Sequence, residues 1–285
     1  MARLSYNNGD TAVRRNRNTF LSANPVMRRL DRVEEYAETD VATYRGIILK
    51  TGLFLLFTLA GMVLNILLLD VFSHGNIVHT NYRGFEIEMY TGEVVALVVS
   101  LVLAIVFQLI AAFVRPATPV VGSLYCVTQG YFISFIIFKV LKGYEYLGLL
   151  AFAITMVIVL TMLLLYSKGV IKATKKFRAV LTTLVITSFV ISIISVIAFF
   201  IPVTRPFVNT IMQKFAISIG FSLFFIIIAS LFLICDFDTI EHVVSNRLPK
   251  QYEWQAAFGL AFTIIWIYLK VLELIVKIFG KKKNS

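Results

Sequence analysis

The sequence has little charge, few histidines and very few cysteines. Of its 285 residues, 15% are charged and 59% are apolar, whereas soluble domains are about 25% charged and roughly 45–50% apolar. The low charge therefore argues against an ordinary soluble domain. The two cysteines, Cys126 and Cys235, both lie inside apolar runs, where a thiol behaves as a small hydrophobic group. We expect no disulfide framework.

Histidine is equally scarce. His74, His79 and His242 are the three in the chain, and all three fall in segments predicted to be loops. A zinc site needs several nitrogen, sulfur or oxygen ligands grouped around one point, and these positions offer no such group within the membrane. The sequence therefore predicts neither a metal hydrolase nor a bound cofactor.

The sequence contains seven long apolar runs. The first run, 51–69, has 19 residues, which as a helix would be about 29 Å long and would match the hydrocarbon core of a bilayer. Further apolar runs lie at 94–114, 118–138, 146–166, 179–201, 215–235 and 254–279. Because lipid offers no partners to backbone groups, runs of this length must be helical. The sequence predicts an all-α integral membrane protein, a bundle of seven transmembrane helices.

The domain organisation follows from the same runs. Residues 1–45 are polar and are predicted to form a mobile cytoplasmic tail, with one short helix from Asn24 through Tyr36. This segment lacks the apolar core of a cleavable signal peptide. Residues 46–280 are predicted to form the seven-helix domain, and residues 281–285 a basic tail.

The net charge of +11 is unevenly distributed. Nine of the 27 basic residues lie at or before Lys50, and five more lie between Lys168 and Arg178. Basic clusters beside apolar spans indicate membrane orientation and contact with anionic lipids, and no motif that reads a nucleic-acid groove accompanies them. We therefore expect a multi-pass protein of the cell membrane with a cytoplasmic N-terminus, lipid contacts and no nucleic-acid partner. The sequence names no protein partner.

Polar groups inside a membrane are costly, so each is a candidate for function. Gln108 and Gln129 are predicted to hydrogen-bond to neighbouring helices. Asp236, Asp238 and Glu241 directly follow the sixth run, and two interpretations stay open for them. They are either interfacial acids that pair with basic residues or carboxylates that line an ion path. Small residues, namely Gly61, Gly130 and Gly220, are predicted to allow close helix packing.

The seventh run differs from the others because it carries charges. Lys270, Glu273 and Lys277 form a stripe at helical spacing, which either extends to the far headgroups or faces the bundle interior. A lysine in the last of seven spans could hold retinal, but spans three to five contain no carboxylate as a counter-ion. An aspartyl protease needs two carboxylates at one depth, and Asp236 and Glu273 are expected to lie too far apart along the membrane normal. We expect no catalysis.

Several motifs occur in a fixed order along the chain. Asp236 to Glu241 reads DFDTIE, and it is followed by Pro249-Lys250, by EWQAAFGL at 253–260 and by WIYL at 266–269. Upstream stand Asn24-Pro25-Val26, Thr43-Tyr44-Arg45-Gly46 with Lys50-Thr51, and Arg115-Pro116-Ala117. With these motifs the chain resembles the Bax inhibitor-1/YccA family, especially a bacterial branch of it, over nearly its whole length.

The resemblance implies a seven-helix bundle with the last helix near its centre, together with calcium leak and protection against cell death. It also implies that two carboxylates share a proton and close the ion path. Asp236 matches the first carboxylate, whereas the second would fall at Lys270, and Gln129 stands where the family often has glutamate. A carboxylate that faces an ammonium does not share its proton, so a leak here would be weaker or gated differently. The alternatives are a non-conducting membrane scaffold and, more remotely, an intramembrane enzyme.

Overall fold

Seven long helices form the membrane-spanning part of the chain. A computed structural model describes residues 41–82, 85–201, 206 and 215–283, and seven helices in those residues are long and apolar enough to cross a bilayer. They are α1 (Tyr44–Phe72), α2 (Thr91–Phe113), α3 (Thr118–Phe135), α4 (Tyr146–Ser167), α5 (Lys175–Phe200), α6 (Phe215–Ser245) and α7 (Gln251–Lys283). The predicted class and the number of spans are confirmed.

The observed helices extend beyond the predicted runs. The helix α1 begins at Tyr44 rather than at residue 51, and α6 continues past residue 235 to Ser245. The helix α7 reaches Lys283, so residues 281–283 of the predicted basic tail are helical. The runs end at the first charge, whereas a helix can continue into the interface, where water solvates charged side chains.

Local sequence explains several of the helix starts. Thr43 and Thr174 precede α1 and α5, and their hydroxyl oxygens accept hydrogen bonds from backbone N–H groups at 3.0 and 3.2 Å. These bonds satisfy donors that have no partner in the first turn of a helix. Pro116 and Pro119 lie in the first turns of a short 3-10 segment and of α3, where the missing N–H costs nothing.

A β-hairpin joins α1 to α2, and the sequence analysis missed it. Its strands are β1 (Ile77–Tyr82) and β2 (Phe85–Tyr90), which pair antiparallel. In β2 the buried Phe85 and Ile87 alternate with exposed glutamates. This alternation is the sequence signal of a half-buried strand, and it was available in the sequence.

The histidine positions also need correction. His79 lies in β1 and His242 in the last turns of α6, so the prediction of loops was wrong for both. The predicted helix from Asn24 through Tyr36 lies outside the described residues. The compact membrane unit begins at Ala42.

The helix α7 is the centre of the bundle. It packs against α1, α3, α4 and α6, and 61% of its most apolar stretch is buried, compared with 6% in α5. The central position that the resemblance implied for the last helix is thus observed. We call the end at which α1 begins the amino end; the α2–α3, α4–α5 and α6–α7 connections lie there, and the hairpin lies at the opposite end.

Close packing of α1 on α3 depends on two glycines. A methyl group at Gly61 would overlap the carbonyl group of Val127, and one at Gly130 would overlap the carbonyl group of Thr58. The prediction for these glycines is confirmed, since small residues let membrane helices approach closely. The prediction for Gly220 was wrong, because no described atom lies within 4 Å of a Cβ built there.

Candidate functional site

The acids at the end of α6 are directed to different helices. Asp238 forms an ion pair with Arg178 of α5. Glu241 accepts a hydrogen bond from the hydroxyl group of Tyr166 of α4. Both acids thus have partners near the edge of the membrane, as the first of the two interpretations expects.

Asp236 is directed instead at α7. Its Oδ1 atom lies 3.9 Å from the position that a Cβ would take at Gly259, and the side chain of Thr263 lies beside its carboxylate. Its Oδ2 atom is buried and has no hydrogen-bond partner among the described residues. Buried polar atoms are rarely left unsatisfied, because the loss of hydration is costly. Of the three acids, Asp236 is therefore the one with a buried carboxylate oxygen that lacks a partner in the described residues.

Lys270 does not face Asp236. It lies 11 residues beyond Gly259 on α7, which corresponds to about 16 Å along the helix. Its Nζ atom pairs with Oε2 of Glu273 at 2.8 Å and lies 5.2 Å from the centre of the Phe225 ring of α6. The family motif raised a pairing of Lys270 with Asp236, and that pairing does not occur in the described residues.

Lys277 faces the bundle interior at the opposite end of α7. It is 7% exposed, and its Nζ atom donates to Oγ of Ser222 at 2.7 Å and to the carbonyl oxygen of Ser218 at 3.4 Å. It also forms an ion pair with Glu273. Glu273 is therefore held between two lysines, and Lys277 joins α7 to the start of α6.

The two glutamines inside the membrane spans do not form the predicted hydrogen bonds to neighbouring helices within the described residues. Gln108 and Gln129 are half-buried, but neither side chain forms a hydrogen bond to another residue in the described ranges. The expected hydrogen bonds between helices are not observed for them. Adjacent Gly130, rather than Gln129, makes the close approach to α1.

Glu253, in the first turn of α7, is a buried acid that the sequence analysis did not select. It is 1% exposed, and it accepts hydrogen bonds from the backbone N–H and the hydroxyl group of Thr43 at 2.8 and 3.1 Å. Lys50 forms an ion pair with it. A methyl group at Gly46 would overlap its carboxylate. The start of α7 is thereby fastened to the start of α1.

The motifs contained a signal for this cluster. Thr43, Gly46 and Lys50 occur in one motif and Glu253 in another, but nothing in the spacing indicates that these segments meet. Tyr252, beside Glu253, accepts a hydrogen bond from Arg115 at 2.8 Å. A residue of each N-terminal motif in the described part of the chain thus contacts the start of α7.

A second buried acid lies at the opposite end of the bundle. Glu93 pairs with Lys139 at 2.7 Å and accepts a hydrogen bond from Ser73 at 3.1 Å. Its other oxygen accepts from the backbone N–H of Tyr90 at 3.1 Å, which caps α2. This cluster ties the first turn of α2 to the residues that follow α1 and α3. It too was missed, because the sequence shows only an acid just before an apolar run.

The described residues contain no group of three or more His, Cys, Asp or Glu side chains that could hold a metal ion. Tight calcium sites use six to eight oxygen ligands, several of them carboxylates. Asp236 supplies one carboxylate with a hydroxyl group beside it. This is fewer oxygen ligands than a tight calcium site uses.

Seven apolar helices, with ion pairs gathered near their ends, define a multi-pass α-helical membrane protein. A family model described as Bax inhibitor 1 like matches residues 24–280. The chain belongs to the Bax inhibitor 1 like family, and the family resemblance inferred from its motifs is confirmed. No curated protein matches the chain.

Proposed function

We propose that this protein is a slow leak path for cations, calcium among them, and that it is not a catalyst. Its membership of the Bax inhibitor 1 like family supports a multi-pass membrane protein. The observation that carries the proposal is the buried Oδ2 atom of Asp236, which lacks a partner in the described residues. A carboxylate oxygen is the kind of ligand that calcium prefers.

The path would follow the contact between α6 and α7. At the amino end, Asp238 pairs with Arg178 and Glu241 accepts a hydrogen bond from Tyr166, so both acids are engaged at the mouth of the path. Asp236 is the next acid inward and is the first to lack a complete set of partners. Its carboxylate would receive the cation after part of the hydration shell is lost.

Apolar residues close this path in the structure. Beyond Asp236, α6 buries Leu233 and Ala229, while α7 buries Ile267 and Val271. A hydrophobic constriction stops ions because water does not fill it. At the opposite end, Lys277 adds a buried ammonium that repels cations. Flux would thus require rare separation of α6 from α7, which accounts for a slow leak.

The motifs place Lys270 where the family has a second carboxylate, and they suggested that its ammonium faces Asp236. Because Lys270 pairs with Glu273 and lies far from Asp236, it does not neutralise that acid. The leak we propose depends on a single carboxylate rather than on a pair that shares a proton.

Calcium flux into liposomes containing the purified protein tests the proposal. We expect the wild type to exceed protein-free vesicles and Asp236→Asn to lower the flux about tenfold, which corresponds to roughly 1.4 kcal/mol of lost interaction with the ion. Glu86→Gln is the matched control, because Glu86 is an exposed acid of the hairpin, and its flux should equal that of the wild type. Equal flux in Asp236→Asn and the wild type would contradict the proposal.

A non-conducting membrane scaffold is the second candidate, and one observation favours it. Leu181 is the single buried residue among the α5 positions whose burial is described, and α5 packs mainly on α6. A helix with so little packing leaves apolar side chains for a partner protein. Folded wild-type protein that adds no flux to liposomes would favour this function over the leak.

We further infer that the amino end faces the cytoplasm of the cell membrane. Support comes from the basic residues up to Lys50 and from those between Lys168 and Arg178, which fit the excess of positive charge in cytoplasmic segments. The same residues would contact anionic lipids. Asp236 would then lie near the cytoplasmic side of the path.

A further inference from the structure

An apolar cavity lies between α1, α2 and α3, and its lining includes no residue of α6 or α7. Its volume is about 580 Å³. Its lining includes Leu64 of α1, Val99 and Leu103 of α2, and Val127 of α3. Several lining side chains are partly exposed within the membrane-spanning stretch, so the cavity opens on the bilayer.

The cavity is elongated along the helices. Its lining on α2 extends from Thr91 to Leu103, a rise of about 18 Å, which exceeds half of a hydrocarbon core of about 30 Å. An acyl chain of one leaflet spans a comparable depth, so the length and the apolar lining of the cavity suit a single hydrocarbon chain.

Polar groups lie at one end of the cavity. The rim is formed by His74, Gly75, Thr91 and Gly92, at the base of the hairpin. The backbone N–H of Thr91 donates to the carbonyl oxygen of Asn76 at 3.0 Å, and that of Gly92 donates to the carbonyl oxygen of His74 at 3.2 Å. The rim is therefore held in place, and the cavity is polar at the membrane surface and apolar within.

We propose that this cavity binds one acyl chain of a bilayer glycerophospholipid, with the headgroup at the rim beside His74 and Thr91. Lipid tails are as apolar as leucine, so the hydrophobic effect does not drive this binding. The driving forces are dispersion contacts that fill a void and polar contacts at the rim. The lipid would brace α1, α2 and α3, away from the seam of α6 and α7.

Photolabelling in liposomes tests this proposal on the full chain. The probe is a phosphatidylcholine with a diazirine in the middle of one acyl chain, and labelled residues are mapped by mass spectrometry of peptides. Val99→Trp places an indole in the cavity. The matched control is Val98→Trp, since Val98 is 53% exposed and lies outside the cavity, while Val99 is 49% exposed and lines it.

In the wild type and in Val98→Trp, we expect labelling concentrated on the cavity residues of α2 and α3. In Val99→Trp, labelling there should fall about tenfold, or roughly 1.4 kcal/mol of binding free energy. Labelling spread evenly over all exposed positions of α2 in the wild type would overturn the proposal, because it would indicate ordinary surrounding lipid. An absence of lipid labelling at the cavity residues of the wild type, as a second copy of the chain covering them would cause, would overturn it as well. The wild-type pattern decides the outcome even if a variant fails to fold.

Discussion

The start of α7 and the end of α6 each hold a buried carboxylate group at the amino end of the bundle, but the two differ in their partners. Glu253 accepts hydrogen bonds from the backbone and side chain of Thr43 and pairs with Lys50. Asp236 has Thr263 beside it and an Oδ2 atom without a partner in the described residues. One acid is satisfied by the fold, and the other is not.

This difference separates a structural role from a functional one. A buried charge with a full set of partners stabilises one arrangement of helices. Removing it is strongly destabilising, because the opposite charge stays buried without a partner. An acid that the fold leaves incomplete contributes less to stability and has a free oxygen for a ligand. Stability and flux should therefore respond in opposite ways to substitutions at Glu253 and Asp236.

The largest effect on stability is expected for Glu253→Ala. The substitution removes the partner of Lys50 and of Thr43, so the free energy of unfolding should fall by about 3 kcal/mol. Reversible unfolding in mixed micelles with increasing sodium dodecyl sulfate measures this change. Glu86→Ala, at an exposed acid of the hairpin, should change it by less than about 0.5 kcal/mol. If Glu253→Ala and Glu86→Ala are equally stable, Glu253 has no structural role, and the contrast with Asp236 is lost.

A smaller effect is expected for Gly46→Ala, which acts on the same cluster from the side of α1. The added methyl group would overlap the Glu253 carboxylate, and relief of such overpacking costs about 2 kcal/mol. Gly52→Ala is the matched control in the same helix, because no described atom lies within 4 Å of a Cβ there. It should cause no loss of stability. If both variants unfold alike in the same assay, the contact of Gly46 with Glu253 is not important.

The smallest effect is expected for Asp236→Asn. Asparagine has nearly the same shape as aspartate. It replaces a carboxylate whose buried Oδ2 atom has no partner among the described residues. The free energy of unfolding should therefore change by less than about 1 kcal/mol, although calcium flux falls. A loss as large as that of Glu253→Ala would show that Asp236 is structural, and the comparison would fail.

Equivalent sequence signals had different outcomes in the structure. Gly61, Gly130 and Gly220 were predicted alike, yet the first two lie against carbonyl groups of a neighbouring helix and the third lies open in the described part. The family motif makes Lys270 the counterpart of Asp236, but Lys270 lies 11 residues beyond Gly259, about 16 Å along α7 from the position that Asp236 faces. Such differences depend on which helix faces which, and local pattern does not contain that information.

The β-hairpin is a different case, because its alternation of apolar and acidic residues is written in β2 itself. The sequence analysis treated the segment between α1 and α2 as a loop, although its pattern predicts a strand. The helix extensions at Tyr44 and Ser245 were likewise underestimated from the distribution of charge. Both differences have one cause: regular secondary structure continues beyond the apolar runs into the polar segments at the membrane surface.

Run length and scarcity of charge were enough to establish the class of protein and its seven spans, because a bilayer imposes the same length and solvent on every helix. The motifs were enough to identify the family. The partners of each buried acid were decided by tertiary structure alone. Thr43 and Lys50 are 210 and 203 residues from Glu253 along the chain, and only the packing of α7 against α1 brings these groups within hydrogen-bond distance, while leaving Asp236 incomplete.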